Sequence, residues 1–263
     1  MNKIKEENVP VIILCGGKGT RFFEETRFKP KPMTIIAGIP ILLHIILIYK
    51  KFNYKKFILA CGYKHDYILN FFKKKLKKKN NFKLTKGRNC YKFQTKNFEI
   101  LIINTGLNTL TGERILKCKK YIDTNIFLAT YGDAVSDINL KNLKNTFIKK
   151  NCDAMVTAVK PPARFGKLNI DQFERVKNLE EKKDKNTSWI NGGFFIFKKK
   201  FFKYLRKGEM LERGPLQRVA KIKKLYAYKH LGFWQCIDTL REKLILNKII
   251  KKKKPSWLNI KLY

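Results

Sequence analysis

Residues 9–15 read VPVIILC, an unbroken apolar run, and Gly16-Gly17-Lys18-Gly19-Thr20-Arg21 follows at once. A short apolar run bounded by glycines is the signature of a strand buried on both faces. Glycines directly after such a strand let backbone N–H groups approach phosphate oxygens, and Lys18 and Arg21 add positive charge beside them. In an open α/β sheet, ligands bind at the carboxyl ends of the strands. Two familiar phosphate loops are excluded. A dinucleotide fingerprint needs glycine where Phe22 stands, and a Walker loop needs Ser or Thr after its Gly-Lys, where Gly19 stands. A tight turn after a strand is the competing reading of this loop.

The remaining pattern supports an alternating α/β chain. Residues 40–52 open with Pro at a plausible first helical position and predict a buried helix. Apolar runs at 57–61, 98–103 and 126–130 predict further buried strands, with helices over 66–76 and 113–121 between them. Strand and helix alternating at this spacing predict a doubly wound α/β fold, Rossmann-like, with a mixed and mostly parallel sheet. In the second half, strands are expected at 154–159, 167–170 and 194–197, the last after a turn at Asn191-Gly192-Gly193, and helices at 199–206 and 238–250. A single domain is expected over 1–263, divided into a first half at about 9–150, a more mixed second half at about 151–246 and a tail over 247–263.

Charge is the unusual part of the composition. The formal net charge is +39, yet Arg supplies only 10 of 59 basic residues. Purpose-built phosphate readers use more Arg for its bidentate fork, so the Lys excess reads as a tolerant surface and no specific nucleic-acid partner is expected. Six Cys without a CxxC pair, and only three His, argue against a structural zinc site and for reduced cytosolic thiols. The longest apolar stretch, Ile39 to Tyr49, has eleven residues and is too short to span a bilayer, so no membrane insertion is expected. The apolar run before Gly16 lacks a cleavage site, and the expected location is cytoplasmic.

Two further features carry chemistry. Lys31 lies between Pro30 and Pro32, which stiffen the backbone that carries its ammonium. Asp133 follows an apolar run in Tyr-Gly-Asp, where an acid facing a phosphate loop suits a Mg²⁺ ligand and a turn or cap Asp is the alternative. Trp189 is expected to pack in the core.

The stretch VIILCGGKGTRFFEETRFKPKPM resembles the opening of the sugar-nucleotide pyrophosphorylases, a nucleotidyltransferase family with a G-G-x-G-T-R loop and a following K-P. The likeness continues through GIPILLHIILIYKKF, ILACGYKHDYI, NTGLNTLTGERI, FLATYGDAVSDINL, KPPARFGKL, WINGGFFIF and HLGFWQCIDTLREK, over about residues 9–246. The segments TLTGER, YGD, RFG, WINGGFF and FWQCIDT are similar to the cytidylyl branch. The resemblance implies attack of a sugar 1-phosphate oxygen on the α-phosphorus of CTP, with pyrophosphate leaving, Mg²⁺ as cofactor, and a homo-oligomer. It further implies a nucleotide site of Leu14, Cys15, Gly16, Gly17, Gly19, Thr20, Arg21, Lys31, Thr109, Arg114 and Asp133. Within that set Arg21 and Lys31 are catalytic, and Asp133 and Asp238 hold the metal. The sugar phosphate falls to Gly166, Glu181, Lys182, Asn191 and Gly192.

Some residues depart from the family pattern. Cys15 replaces a usual Ala, Glu181-Lys182-Lys183 replaces E-K-P, and Ala134 follows Asp133 where Gly is usual; residues 77–97 match nothing. Another NTP or sugar phosphate, and a binding protein on a decayed transferase fold, are the alternative functions.

Overall fold

A computed structural model describes residues 5–77, 82–161, 167–180 and 188–259. Its strands are β1 (Pro10–Cys15), β2 (Ile35–Ile36), β3 (Ile39–Pro40), β4 (Lys56–Cys61), β5 (Lys83–Gly87), β6 (Cys90–Gln94), β7 (Glu99–Asn104), β8 (Ile126–Tyr131), β9 (Ala134–Ser136), β10 (Ala154–Val159), β11 (Lys167–Ile170), β12 (Val176–Glu180), β13 (Ile190–Lys198), β14 (Leu225–His230) and β15 (Trp234–Cys236). The α-helices are α1 (Phe23–Thr26), α2 (Ile41–Lys50), α3 (His65–Lys77), α4 (Thr111–Lys117), α5 (Leu140–Lys150), α6 (Pro215–Lys221) and α7 (Leu240–Lys252).

Nine strands form one sheet in the order β14-β10-β13-β8-β1-β4-β7-β6-β5. Only β6 and β13 run against the other seven, so the sheet is mixed and mostly parallel, as the alternation of elements predicts. From β1 the chain steps outward through β4 to β7, then returns to the other side of β1 as β8. The order therefore reverses between β1 and β8, and a crevice opens there at the strands' carboxyl ends.

Alternation along the central strands divides the core into two layers. Val11, Ile13 and Cys15 of β1 face one layer with α2 and α3, while Ile12 and Leu14 face the other with Ile115 of α4 and Phe201. All six residues of β1 are buried, which is why it reads as a continuous apolar run. In α2 every residue from Ile41 to Tyr49 is buried, including His44. His44 Nε2 lies 2.8 Å from the Ile36 carbonyl, and Trp257 Nε1 donates to His44 Nδ1 at 3.2 Å, so the ring links α2 to the end of the described chain.

Several predicted elements differ. Asn191-Gly192-Gly193 is no turn: it lies inside β13, where the ladder to β10 shifts register between Val156 and Ala158. The helix predicted over 199–206 is a 3₁₀ stretch over Lys199–Tyr204, and the one over 113–121 is α4 followed by a 3₁₀ turn at Lys119–Tyr121. The Lys-rich region that matched nothing contains the hairpin β5–β6, which extends the sheet edge. No helix among the described residues is long and apolar enough to cross a membrane.

Candidate active site

The crevice between β1 and β8 is a cleft of about 340 Å³, walled by the loop after β1, Lys31, Asp133, Asp238 and the approach to α4. Gly19 caps a 3₁₀ turn over Thr20–Phe22 in the left-handed region, φ +66°, and a side chain there would meet Thr26 Cγ2 at 2.7 Å. Phe22 N donates to the Gly19 carbonyl at 2.9 Å, and Phe22 is fully buried, which anchors the loop.

Asp133 sits on the tight turn between β8 and β9. Gly132 N donates to the Leu14 carbonyl at 3.1 Å, so the turn is stitched to β1. Asp238 arrives from the far end of the chain. The short antiparallel pair β9–β15 sets Ala134 opposite Cys236, and Ile237 N donates to the Asp133 carbonyl at 3.0 Å. Asp238 N donates to Glu242 Oε2 at 2.5 Å, and Thr239 and Glu242 form a capping box at the start of α7.

The two carboxylates converge on one cation. Lys31 Nζ lies 2.5 Å from Asp133 Oδ2 and 2.6 Å from Asp238 Oδ1, and Arg21 pairs with Asp238 Oδ2 at 3.1 Å. Burial works against the Lys31 ammonium, but Asp133 and Asp238 outweigh it and hold the group above the ordinary lysine range. A point that stabilises an ammonium between two carboxylate oxygens suits a hard cation, so the residues present fit Mg²⁺. Cys236 lies close by: Cys236, Asp238 and Glu242 each offer a ligand atom within 4.8 Å of the others. Burial first, and then the neighbouring carboxylates, push its thiol up to about 12.

Thr109 and Arg114 flank the other end of the cleft. Thr109 Oγ1 donates to the Thr105 carbonyl at 2.6 Å and accepts from Lys117 Nζ at 3.1 Å. Arg114 is 3% exposed, and its terminal nitrogens donate to the carbonyls of Gly16, Cys61, Gly106 and Leu107 and to Thr105 Oγ1. Burial lowers its pKa from the ordinary arginine value.

A second hollow adjoins the carboxylates, lined by Tyr131, Asn191, Gly192 and Trp234 among others. Asn191 Nδ2 donates to the Tyr131 hydroxyl at 3.3 Å, and Trp234 Nε1 donates to the Gly192 carbonyl at 2.8 Å. Gly193 adopts φ +79° against the Tyr131 ring.

A profile described as "Nucleotidyl transferase" matches residues 10–234. The chain belongs to the nucleotidyl transferase family. It is 39% identical over 250 residues to a protein named probable glucose-1-phosphate cytidylyltransferase from Bacillus subtilis, covering 94% of this chain and 98% of that one. It is 36% identical over 251 residues to the glucose-1-phosphate cytidylyltransferase of Salmonella typhi, covering 94% and 97%. The crystal structure of HddC from Yersinia pseudotuberculosis shares the fold at a TM-score of 0.67 and 23% identity, covering 92% and 99%.

On this transferase scaffold the cleft gathers Leu14, Cys15, Gly16, Gly17, Gly19, Thr20, Arg21, Lys31, Thr109, Arg114, Asp133 and Asp238. Asn191 and Gly192 stand in the adjoining hollow, while Gly166, Glu181 and Lys182 lie outside the described residues. Trp189 is not core. It is 38% exposed, with the ammoniums of Lys160 and Lys229 over its ring at 5.3 and 5.6 Å. It stands one residue before β13, whose first two residues are exposed, and two lysines cover it there. Sequence reasoning missed Tyr131 and Trp234. Each adjoins a motif residue, Asp133 through the Tyr-Gly-Asp turn and Cys236 through β15, and that adjacency was the available signal.

Proposed function

We propose that the chain transfers the cytidylyl group of CTP to α-D-glucose 1-phosphate, giving CDP-glucose and pyrophosphate. The observation that carries this is the Lys31 ammonium held between Asp133 and Asp238 at the mouth of the glycine loop. It supplies cations and carboxylates where a triphosphate and its metal need them, and the relatives' names support the choice of base and sugar. Such a transfer needs no enzyme nucleophile. A phosphate oxygen of the sugar 1-phosphate bonds to the α-phosphorus as the bond to the bridging oxygen of pyrophosphate breaks, and the work is positioning and charge neutralisation.

In this reading Gly16 to Arg21 cradle the triphosphate, Arg21 faces the leaving pyrophosphate, and Lys31 lies near the α-phosphate. Asp133 and Asp238 would hold Mg²⁺, which would supply charge neutralisation of the phosphates. Lys31 and Arg21, the cations beside these carboxylates, are placed to offer charge to phosphate oxygens. Asn191 and Gly192, with Glu181, Lys182 and Gly166, receive the sugar phosphate. The reading includes a nucleotide half at about 9–150, a sugar half at about 151–246, a cytoplasmic location and a homo-oligomer. A decayed binding protein has no use for Lys31, Asp133 and Asp238 together.

The test is pyrophosphate release across four NTPs and a panel of sugar 1-phosphates. The expected result is highest kcat/KM for CTP with glucose 1-phosphate. A CTP to UTP ratio near one would refute the cytidylyl assignment, and no release with any pair would refute the transferase.

A further inference from the structure

Arg114 is placed unlike a residue that reads a ligand. Its terminal nitrogens have five protein acceptors: Gly16 O at 2.9 Å, Leu107 O at 3.3 Å, Cys61 O at 3.2 Å, Gly106 O at 2.9 Å, and Thr105 Oγ1. The four terminal hydrogens are thereby directed into the protein. These acceptors lie at three different strand ends. Gly16 follows β1, Cys61 ends β4, and Thr105 to Leu107 follow β7, so one guanidinium ties the carboxyl ends of three neighbouring parallel strands.

The packing around the group is built for it. A Cβ at Gly16 or at Gly62 would collide with the guanidinium, and at Gly62 it would also meet the Gly106 carbonyl at 2.6 Å. Thr105 Oγ1 donates to the Cys61 carbonyl at 2.6 Å and accepts from Arg114, so its hydroxyl relays between the two. No carboxylate pairs with Arg114 among the described residues; four carbonyls and the Thr105 hydroxyl accept from it.

We infer that Arg114 is a positioning residue: it ties the three strand ends together and, with the Tyr63 N–H that also donates to the Gly16 carbonyl at 3.1 Å, fixes the direction of the Gly16–Gly17 peptide, rather than recognising the base. In a trans peptide the carbonyl and the N–H point opposite ways. With the Gly16 carbonyl drawn onto Arg114, the Gly17 N–H of the same peptide faces away from it. Were that peptide reversed, a carbonyl oxygen would stand where the phosphates need a donor. Only a planar fork spans three strand ends in this way; the point charge of a lysine does not.

The inference rests on the proposed nucleotide site, and pyrophosphate separates the two. Pyrophosphate with Mg²⁺, CTP, UTP and glucose 1-phosphate are titrated calorimetrically onto the wild type, Arg114→Lys and Thr105→Val, with circular dichroism confirming the fold. Thr105→Val is nearly isosteric and does not line the cleft, so it stays informative if Arg114→Lys fails to fold. Wild-type pyrophosphate binding with no CTP turnover would sink the cytidylyl reading and leave the Arg114 test intact. For Arg114→Lys, pyrophosphate and CTP are expected to weaken together by about 10–100-fold, as a loop displaced by a fraction of an ångström implies. Thr105→Val is expected to weaken both in the same direction by less. The CTP to UTP ratio and the glucose 1-phosphate affinity should hold within about twofold. Unchanged pyrophosphate affinity in the folded variants, or a collapse of the CTP to UTP ratio, would overturn the inference.

Discussion

At the scale of single residues, the decisive feature is two carboxylates sharing one cation. Asp133→Asn and Asp238→Asn are each expected to cut kcat by at least about a hundredfold with the fold retained, because each removes a carboxylate that would hold the cation that offsets the phosphate charge. Steady-state turnover at saturating Mg²⁺ checks this, and near-normal rates in both would disprove the paired site. Thr109 carries a second prediction. Its hydroxyl proton is spent on the Thr105 carbonyl and one lone pair on Lys117, so it faces a ligand as an acceptor. Cytosine presents an amino donor where uracil presents a carbonyl. Thr109→Ala is therefore expected to lower the CTP to UTP ratio of kcat/KM by about 5–100-fold, the effect of one unpaired buried group. A ratio unmoved by the change would take Thr109 out of the base site. The sequence displays the types of these residues, because strand-end glycines, cations and acids stand in recognisable local order. It does not display Arg114's surroundings: five acceptors at three strand ends meet only in three dimensions.

At the scale of elements, the most local devices are the most legible. The apolar runs of β1, β4, β7 and β8 are buried on both faces and need no context to be read. The hairpin β5–β6 escaped reading because β5 is exposed throughout and carries Lys83 and Lys86, with no apolar face to alternate. Those lysines stand on an edge strand, where charge discourages pairing with another chain. The Asn-Gly-Gly segment reads as a turn in sequence because its residues favour turns. In β13 the irregular ladder to β10 and the close Tyr131 ring use the same glycine freedom. The capping box of α7 gives an element-scale prediction, since Glu242 binds both the helix start and Asp238 N. Thr239→Ala is expected to cost about 1 kcal/mol of stability, a few degrees in Tm, as lost caps do. Turnover should fall more than Kd for CTP rises, because Asp238 loses its fixed approach. Thermal melts with steady-state kinetics check both, and an unaltered Tm would mean that the cap contributes nothing.

At the scale of the whole molecule, the +39 charge and the buried tie between α2 and Trp257 lead to different experiments. Duplex DNA is expected to bind weakly and to dissociate between low and moderate salt, as counterion release requires; tight sequence-selective binding at physiological salt would contradict an incidental surface. His44 is held below its ordinary value of 6.5 by burial, against the opposing bond to the Ile36 carbonyl. The folded state thus favours the neutral ring. Above about pH 6.5 the ring is neutral in both states and its contribution is complete. As pH falls further, the unfolded chain takes a proton that the fold resists, and stability declines until the folded pKa is reached. Tm measured from pH 7.5 to 5.5 should fall more steeply in the wild type than in His44→Gln, and parallel curves would exclude His44 as the source. Lys31 meets Asp133 across 102 residues and Asp238 across 207, so the ribosome delivers the phosphate loop first, Asp133 next and Asp238 last of the three. A nascent chain can complete the fold around β1 well before β15 pairs with β9. A nascent chain that has not yet reached Asp238 therefore lacks one of the two carboxylates that bracket Lys31.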